Sequence, residues 1–155
     1  MNYVTVIYLL NLLVYAIYFF GKGSSEEVIT IVDYSISATM SLFLILAGYI
    51  NAKQKMTYRS ALWMFFVNVV FFATSGLFDQ FGNNFNLLST SGGDSFLFTL
   101  ALVAYNGYLF PLIMKLERTG FSLVLPVLLS FILPSLGYLI GKVITSKNSV
   151  SPEEN

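Results

Sequence analysis

The sequence predicts an all-α membrane protein, a polytopic bundle of five transmembrane helices, and three observations carry that prediction. Of 155 residues, 56% are apolar and 17% aromatic while 10% are charged, whereas a soluble domain carries about 25% charged residues. A chain of this size must leave a large surface facing its solvent, and so few charges cannot make that surface wettable. The apolar residues also fall in runs of bilayer-spanning length, because a hydrocarbon core about 30 Å thick takes about 20 helical residues at 1.5 Å each. Finally, charges and turn formers cluster between the runs.

The first run, 3–20, is closed by Gly21, Lys22 and Gly23. No basic segment precedes it and no small-x-small cleavage pattern follows, so it reads as a retained helix rather than a signal peptide. The second, 30–51, follows Ser24 and Glu27, whose S-x-x-E spacing forms a capping box and starts the helix outside the lipid at Ser25. Lys53, Lys55 and Arg59 separate it from the third run, 60–78. A loop over 79–94, with turn formers flanking a short apolar stretch, leads to the fourth, 95–114. Lys115, Glu117, Arg118 and Gly120 connect this to the fifth, 121–140. Residues 1–141 thus read as a single bundle and 142–155 as a polar, disordered tail. The competing arrangement has four spans, with Pro126 and Pro134 marking the last segment as re-entrant.

Basic residues in short loops remain cytoplasmic. Here they number one, three, none and two through the four successive connections. This pattern predicts a cytoplasmic amino terminus and, after five crossings, an external carboxyl terminus, with Lys142 and Lys147 as discordant charges. Tyr58 and Trp63 beside the basic loop, and Tyr18 and Tyr138 at the opposite surface, fit aromatic belts.

At about 100° per residue, each run gathers its polar and small side chains on one stripe. Tyr8, Asn11, Tyr15 and Tyr18 share one arc of the first, and Thr30, Asp33, Ser37, Ser41 and Gly48 one arc of the second. Ala61, Asn68, Ser75 and Asp79 align in the third, and Ser95, Thr99 and Asn106 in the fourth. The fifth groups Pro126, Ser130, Pro134, Gly137 and Gly141, the last two forming a GxxxG step that admits a close backbone. The seams are expected to face one another, since membrane helices associate through small residues and interhelical hydrogen bonds.

Several function classes are excluded outright. The chain has no Cys and no His, which removes disulfides, thiolate nucleophiles, Cys/His metal centres and histidine-ligated haem. No cofactor or metal is expected. Eight basic residues balance eight acidic ones, which argues against a nucleic-acid partner. No nucleophile elbow, P-loop or paired-carboxylate spacing is present, so the reading is non-enzymatic.

The candidate binding residues are Asp33, Asn11, Tyr15, Asn68 and Asn106. Asp33 is the one formally charged residue well inside an apolar run, where a carboxylate costs about 2.5–3.5 kcal/mol unless paired, hydrated or protonated. A helix starting at Ser25 sets it about two turns in, with Tyr15 or Tyr18 as partner. Asn11, Asn68 and Asn106 lie near mid-span, where they either coordinate a polar ligand together or bond one another as structural glue. The leading expectation is an accessory, assembly or protective subunit that binds another membrane component. Its partners are then the bilayer and another membrane protein, or a second copy joined through Gly137 and Gly141. The alternative is a transporter or channel subunit that moves protons, cations or a small polar solute past Asp33.

Overall fold

A computed structural model describes residues 2–22, 29–75, 93–116 and 124–148. Their regular structure is entirely helical: α1 (Tyr3–Lys22), α2 (Ile31–Lys53), α3 (Arg59–Thr74), α4 (Gly93–Tyr105), a 3-10 turn (Gly107–Leu109), α5 (Phe110–Lys115) and α6 (Val124–Asn148). Three helices, α1, α2 and α6, are long and apolar enough to cross a membrane. The 16 residues of α3 reach about 24 Å at 1.5 Å each.

Two expected boundaries move, the first for a reason of capping. Ile29 and Thr30 are not helical, and α2 starts at Ile31. Its N-cap is Thr30, whose hydroxyl accepts the Asp33 amide at 3.4 Å while the Asp33 carboxylate accepts the Thr30 amide at 2.6 Å. That reciprocal pair is a capping box, and it puts Asp33 in the first turn rather than two turns inside. The box expected at Ser24 and Glu27 lies outside the described residues. At the other end of the chain, the tail expected from Lys142 is instead helical through Asn148, and positions 149–155 lie outside the described residues. Most of the expected loop over 79–94, with Asp79, lies outside them too.

Contacts fix the direction of every helix. α1 and α2 are antiparallel: the Tyr3 amide meets Asn51 Oδ1 at 3.0 Å, Asn11 meets the Met40 carbonyl at 3.0 Å, and Tyr18 meets Asp33 at 3.0 Å. α3 runs antiparallel to α6, pairing Phe65 with Phe131 (ring centroids 4.9 Å apart), Asn68 with Ser130 (2.9 Å) and Phe72 with Val127. Consequently α2 and α6 are parallel, and they touch along most of their length. A Cβ added at Gly48 would strike the Pro134 carbonyl, one at Gly137 the Ile45 carbonyl, and one at Gly141 the Ala52 side chain at 2.7 Å. The Gly137–Gly141 step is therefore filled by α2 of the same chain.

This arrangement corrects the expected topology. Asn2, the turn after α2 and the C-terminal end of α6 gather at one end of the bundle: Asn2 donates to the Thr57 carbonyl at 3.1 Å, and Tyr138 to the Met56 carbonyl at 3.2 Å. Tyr138 thus stands beside Tyr58, ring centroids 5.0 Å apart, not at the opposite surface. Both described termini share this end because the expected span 95–114 is not one crossing. α4 descends along α3, with Leu102 beside Phe72 and Asn106 bonded to Asn68, and the 3-10 turn then reverses the chain. Tyr108 and Leu109 pack on Tyr8, Leu44 and Met64 in the middle of the bundle, after which Ile113 of α5 is back against Phe72, Leu102 and Val127. The fourth segment is a helical hairpin that enters and leaves at the end opposite the amino terminus. The alternative re-entrant segment was expected around Pro126 and Pro134, yet α6 continues through both.

The outward faces are apolar. Leu9, Leu13, Ile17 and Phe20 line one side of α1, and Leu128, Ile132, Leu136 and Leu139 one side of α6, all exposed. Contiguous apolar stripes of this kind mark contact surfaces rather than free surface in water and suit lipid.

Candidate functional site

The five candidate residues do not converge on one site. Asp33 belongs to a charged cluster at the end opposite the amino terminus, Asn68 and Asn106 to an amide chain at the bundle centre, and Asn11 and Tyr15 to neither.

At the charged cluster, Lys22 ends α1 and Asp33 starts α2, so the antiparallel pairing of those helices brings them together. Lys22 Nζ lies 2.8 Å from Asp33 Oδ2, with side chains 17% and 11% exposed. Tyr18 donates to Oδ1 at 3.0 Å, and the Thr30 amide and hydroxyl donate to Oδ2 at 2.6 and 2.7 Å. A carboxylate in the first turn also faces the positive end of the helix dipole. Both oxygens are thus occupied by a cation, two hydroxyls and an amide, which removes the desolvation problem a lone carboxylate would pose. Lys22 was missed in the sequence because it was read as punctuation; its distance of eleven positions from Asp33 becomes meaningful only once the helix directions are known.

At the centre, a chain of donors crosses three helices. Asn106 Nδ2 donates to Asn68 Oδ1 at 2.6 Å, Asn68 Nδ2 to Ser130 Oγ at 2.9 Å, and Ser130 Oγ to the Val127 carbonyl at 2.7 Å. Asn68, Asn106 and Ser130 are all buried. Asn11 is not a member: it donates instead to the Met40 carbonyl across the α1–α2 seam. Tyr15 packs its ring over the hairpin tip, where a Cβ on Gly107 would come within 2.5 Å of Cδ1, and lies 6.3 Å between centroids from Phe110.

The hairpin break explains why these polar groups are needed. Ending α4 in the bundle interior frees carbonyls that lipid cannot satisfy. Tyr8 donates its hydroxyl to the Tyr105 carbonyl at 2.6 Å, and Asn106 Nδ2 reaches the Leu102 carbonyl at 2.9 Å. The reversal itself is closed by the Leu109 amide on the Asn106 carbonyl at 2.8 Å. Two buried atoms at the tip, Asn106 Oδ1 and the Tyr108 hydroxyl, have no hydrogen-bond partner among the described residues. Among the described residues no group of His, Cys, Asp or Glu could hold a metal ion.

No family model, curated protein or solved structure matches the chain.

Proposed function

We propose that this chain is a small non-enzymatic membrane protein that acts by binding another membrane component, as an accessory, assembly or protective subunit. In this reading α1, α2, α3 and α6 cross the bilayer, α4 and α5 enter halfway from the outer side, and the amino terminus is cytoplasmic. The observation that carries the proposal is the way interior polar groups are used. Asp33 is closed off by Lys22, Tyr18 and Thr30, and Asn68, Asn106 and Ser130 bond one another. A bundle whose polar side chains are engaged internally has its outer faces left for recognition.

The face best suited to a partner is on α3. Exposed Leu62, Trp63, Phe66 and Val69 border a groove of about 520 Å³ that Arg59 closes at one end. Aromatic rings with an arginine at the rim are the residue types that anchor interfaces. A photo-crosslinking residue at Phe66 should yield one discrete protein adduct in native membranes, and the same residue at lipid-facing Leu13 should not. Equal labelling from both positions, or lipid adducts alone, would remove the α3 face from the proposal.

A second reading, a transporter or channel subunit for protons, cations or a small polar solute, draws support from one feature. Broken helices at mid-membrane line substrate paths in many transporters, and Asn106 Oδ1 and the Tyr108 hydroxyl, at such a break, are unpartnered among the described residues. Flux through reconstituted vesicles separates the versions of this reading. Loss on Asp33→Asn supports a path through Asp33, loss on Asn106→Leu supports one through the hairpin tip, and no flux in the unsubstituted protein rejects both.

A further inference from the structure

The net charge of zero conceals a molecule with one basic end. Where the amino terminus, the turn after α2 and the end of α6 meet, the charged side chains described are Lys53, Lys55, Arg59 and Lys142, and among the described residues no carboxylate accompanies them. Between the ends of α2 and α6 lies a cleft of about 830 Å³ bordered by Lys55, Tyr138, Lys142, Thr145 and, on its apolar wall, Ala52 and Val143. Below it, toward the bundle middle, Leu139 and Ile140 are exposed. The cleft therefore has a cationic mouth and an apolar wall at Ala52 and Val143, and the exposed apolar residues of α6 follow it along the helix toward the bundle middle.

The backbone at Lys55 strengthens the case. The Lys55 amide bonds the Ala52 carbonyl at 3.0 Å and the Met56 amide bonds the Asn51 carbonyl at 2.8 Å, the paired bonds of a Schellman motif. The residue at its turning point takes a left-handed conformation, normally filled by Gly, yet here a lysine adopts it with φ 55°. The backbone conformation gains nothing from that side chain, whose charge has only the negative end of the α2 dipole to favour it locally. Lys142 stands across the cleft with its ammonium 5.7 Å from the centroid of the Tyr138 ring, and Tyr138 is itself fixed by its bond to the Met56 carbonyl.

We infer that this cleft binds the phosphate headgroup of an anionic phospholipid, with Lys55 and Lys142 as the two cationic contacts and the exposed face of α6 beneath them holding an acyl chain. Basic pockets between helices at the cytoplasmic surface suit such headgroups. The shared chemistry is a phosphate, and the apolar wall selects the lipid over a free anion. This inference does not rest on the α3 interface or on transport.

Native mass spectrometry of the delipidated full-length protein tests it, by titration with phosphatidylglycerol, phosphatidylcholine and glycerol 3-phosphate. Phosphatidylglycerol should bind at least about tenfold more tightly than either of the others. Lys55→Gly and Lys142→Gln together should weaken it roughly 30-fold, at about fivefold for each cation, and Lys142→Gln alone about fivefold. Lys53→Gln removes a neighbouring charge outside the cleft and should change binding less than about twofold. Because Gly suits the left-handed position, Lys55→Gly should keep or raise the melting temperature, which separates lost binding from lost folding. Equal weakening by Lys53→Gln would reduce the effect to general charge and overturn the site. Equal binding of phosphatidylcholine would overturn the role of headgroup charge, and equal binding of glycerol 3-phosphate would overturn the lipid as ligand.

Discussion

The seam between α2 and α6 and the seam between α3 and the α4–α5 hairpin solve the same problem by opposite means. Along the first, Gly48, Gly137 and Gly141 remove side chains so that backbones touch. Along the second, Asn68 and Asn106 supply side chains that bond across the gap, with Ser130 extending the chain into α6. The parallel pair keeps both helices continuous, with only the Ser130 carbonyl freed by Pro134, so close dispersion contact carries most of the seam. The hairpin interrupts a helix inside the bundle, so it needs amides and hydroxyls. What distinguishes the two is the integrity of the backbone, and the polar residues mark where that integrity fails.

The largest effect should come from breaking the small-residue seam. Gly137→Leu sets a side chain against the Ile45 carbonyl, which no rotamer change can move aside, and should cost at least about 3 kcal/mol. Unfolding in mixed detergent with increasing SDS measures it. The amide seam should respond less. Asn106→Leu removes the bonds to Asn68 and Leu102 but also removes a buried oxygen unpartnered among the described residues, and these opposing terms leave a loss of about 1–2 kcal/mol. A double-mutant cycle with Asn68→Leu should give a coupling of about 0.6–1.7 kcal/mol, and a coupling near zero would mean that the two amides act independently.

Smaller still, Thr30→Ala deletes one half of the α2 cap and should cost about 1 kcal/mol, seen as faster hydrogen exchange confined to the first turn of α2. At the bottom of the scale stands Gly21→Ala, where an added Cβ meets nothing within 4 Å. It should change stability by less than about 0.5 kcal/mol. A Gly21→Ala variant as damaged as Gly137→Leu would erase the distinction between a packing glycine and an incidental one.

Much of this fold was legible in the sequence, because helical periodicity survives in lipid. The stripe through Asn11, Tyr15 and Tyr18 does face the bundle, and of the trio Asn11, Asn68 and Asn106 the last two bond each other while Asn11 bonds the Met40 carbonyl. What escaped was the hairpin, since its tip, Gly107 to Leu109, is followed by apolar residues that continue the run without a charge. The signal was the Asn106-Gly107 pair followed by Pro111 at the start of α5, a stop and a restart within one hydrophobic segment. The start of α2 also differs from the expected Ser25, because the box at Thr30 and Asp33 begins the helix at Ile31. Ser24 with Glu27 and Thr30 with Asp33 satisfy the same spacing, and local chemistry cannot rank them. Pairing across helices was invisible for a further reason: Lys22 and Asp33 lie at the ends of different helices, so neither helical period brings them together.

The hairpin imposes an order on biogenesis. With 13 residues in α4 and 6 in α5, neither arm by itself reaches the length of a bilayer crossing, about 20 residues. When these arms leave the ribosome, Asn68 has already been made, but Ser130 and Val127 have not. The amide chain that holds the hairpin is therefore complete only once the final helix is synthesised, and that helix clasps a part of the protein translated before it.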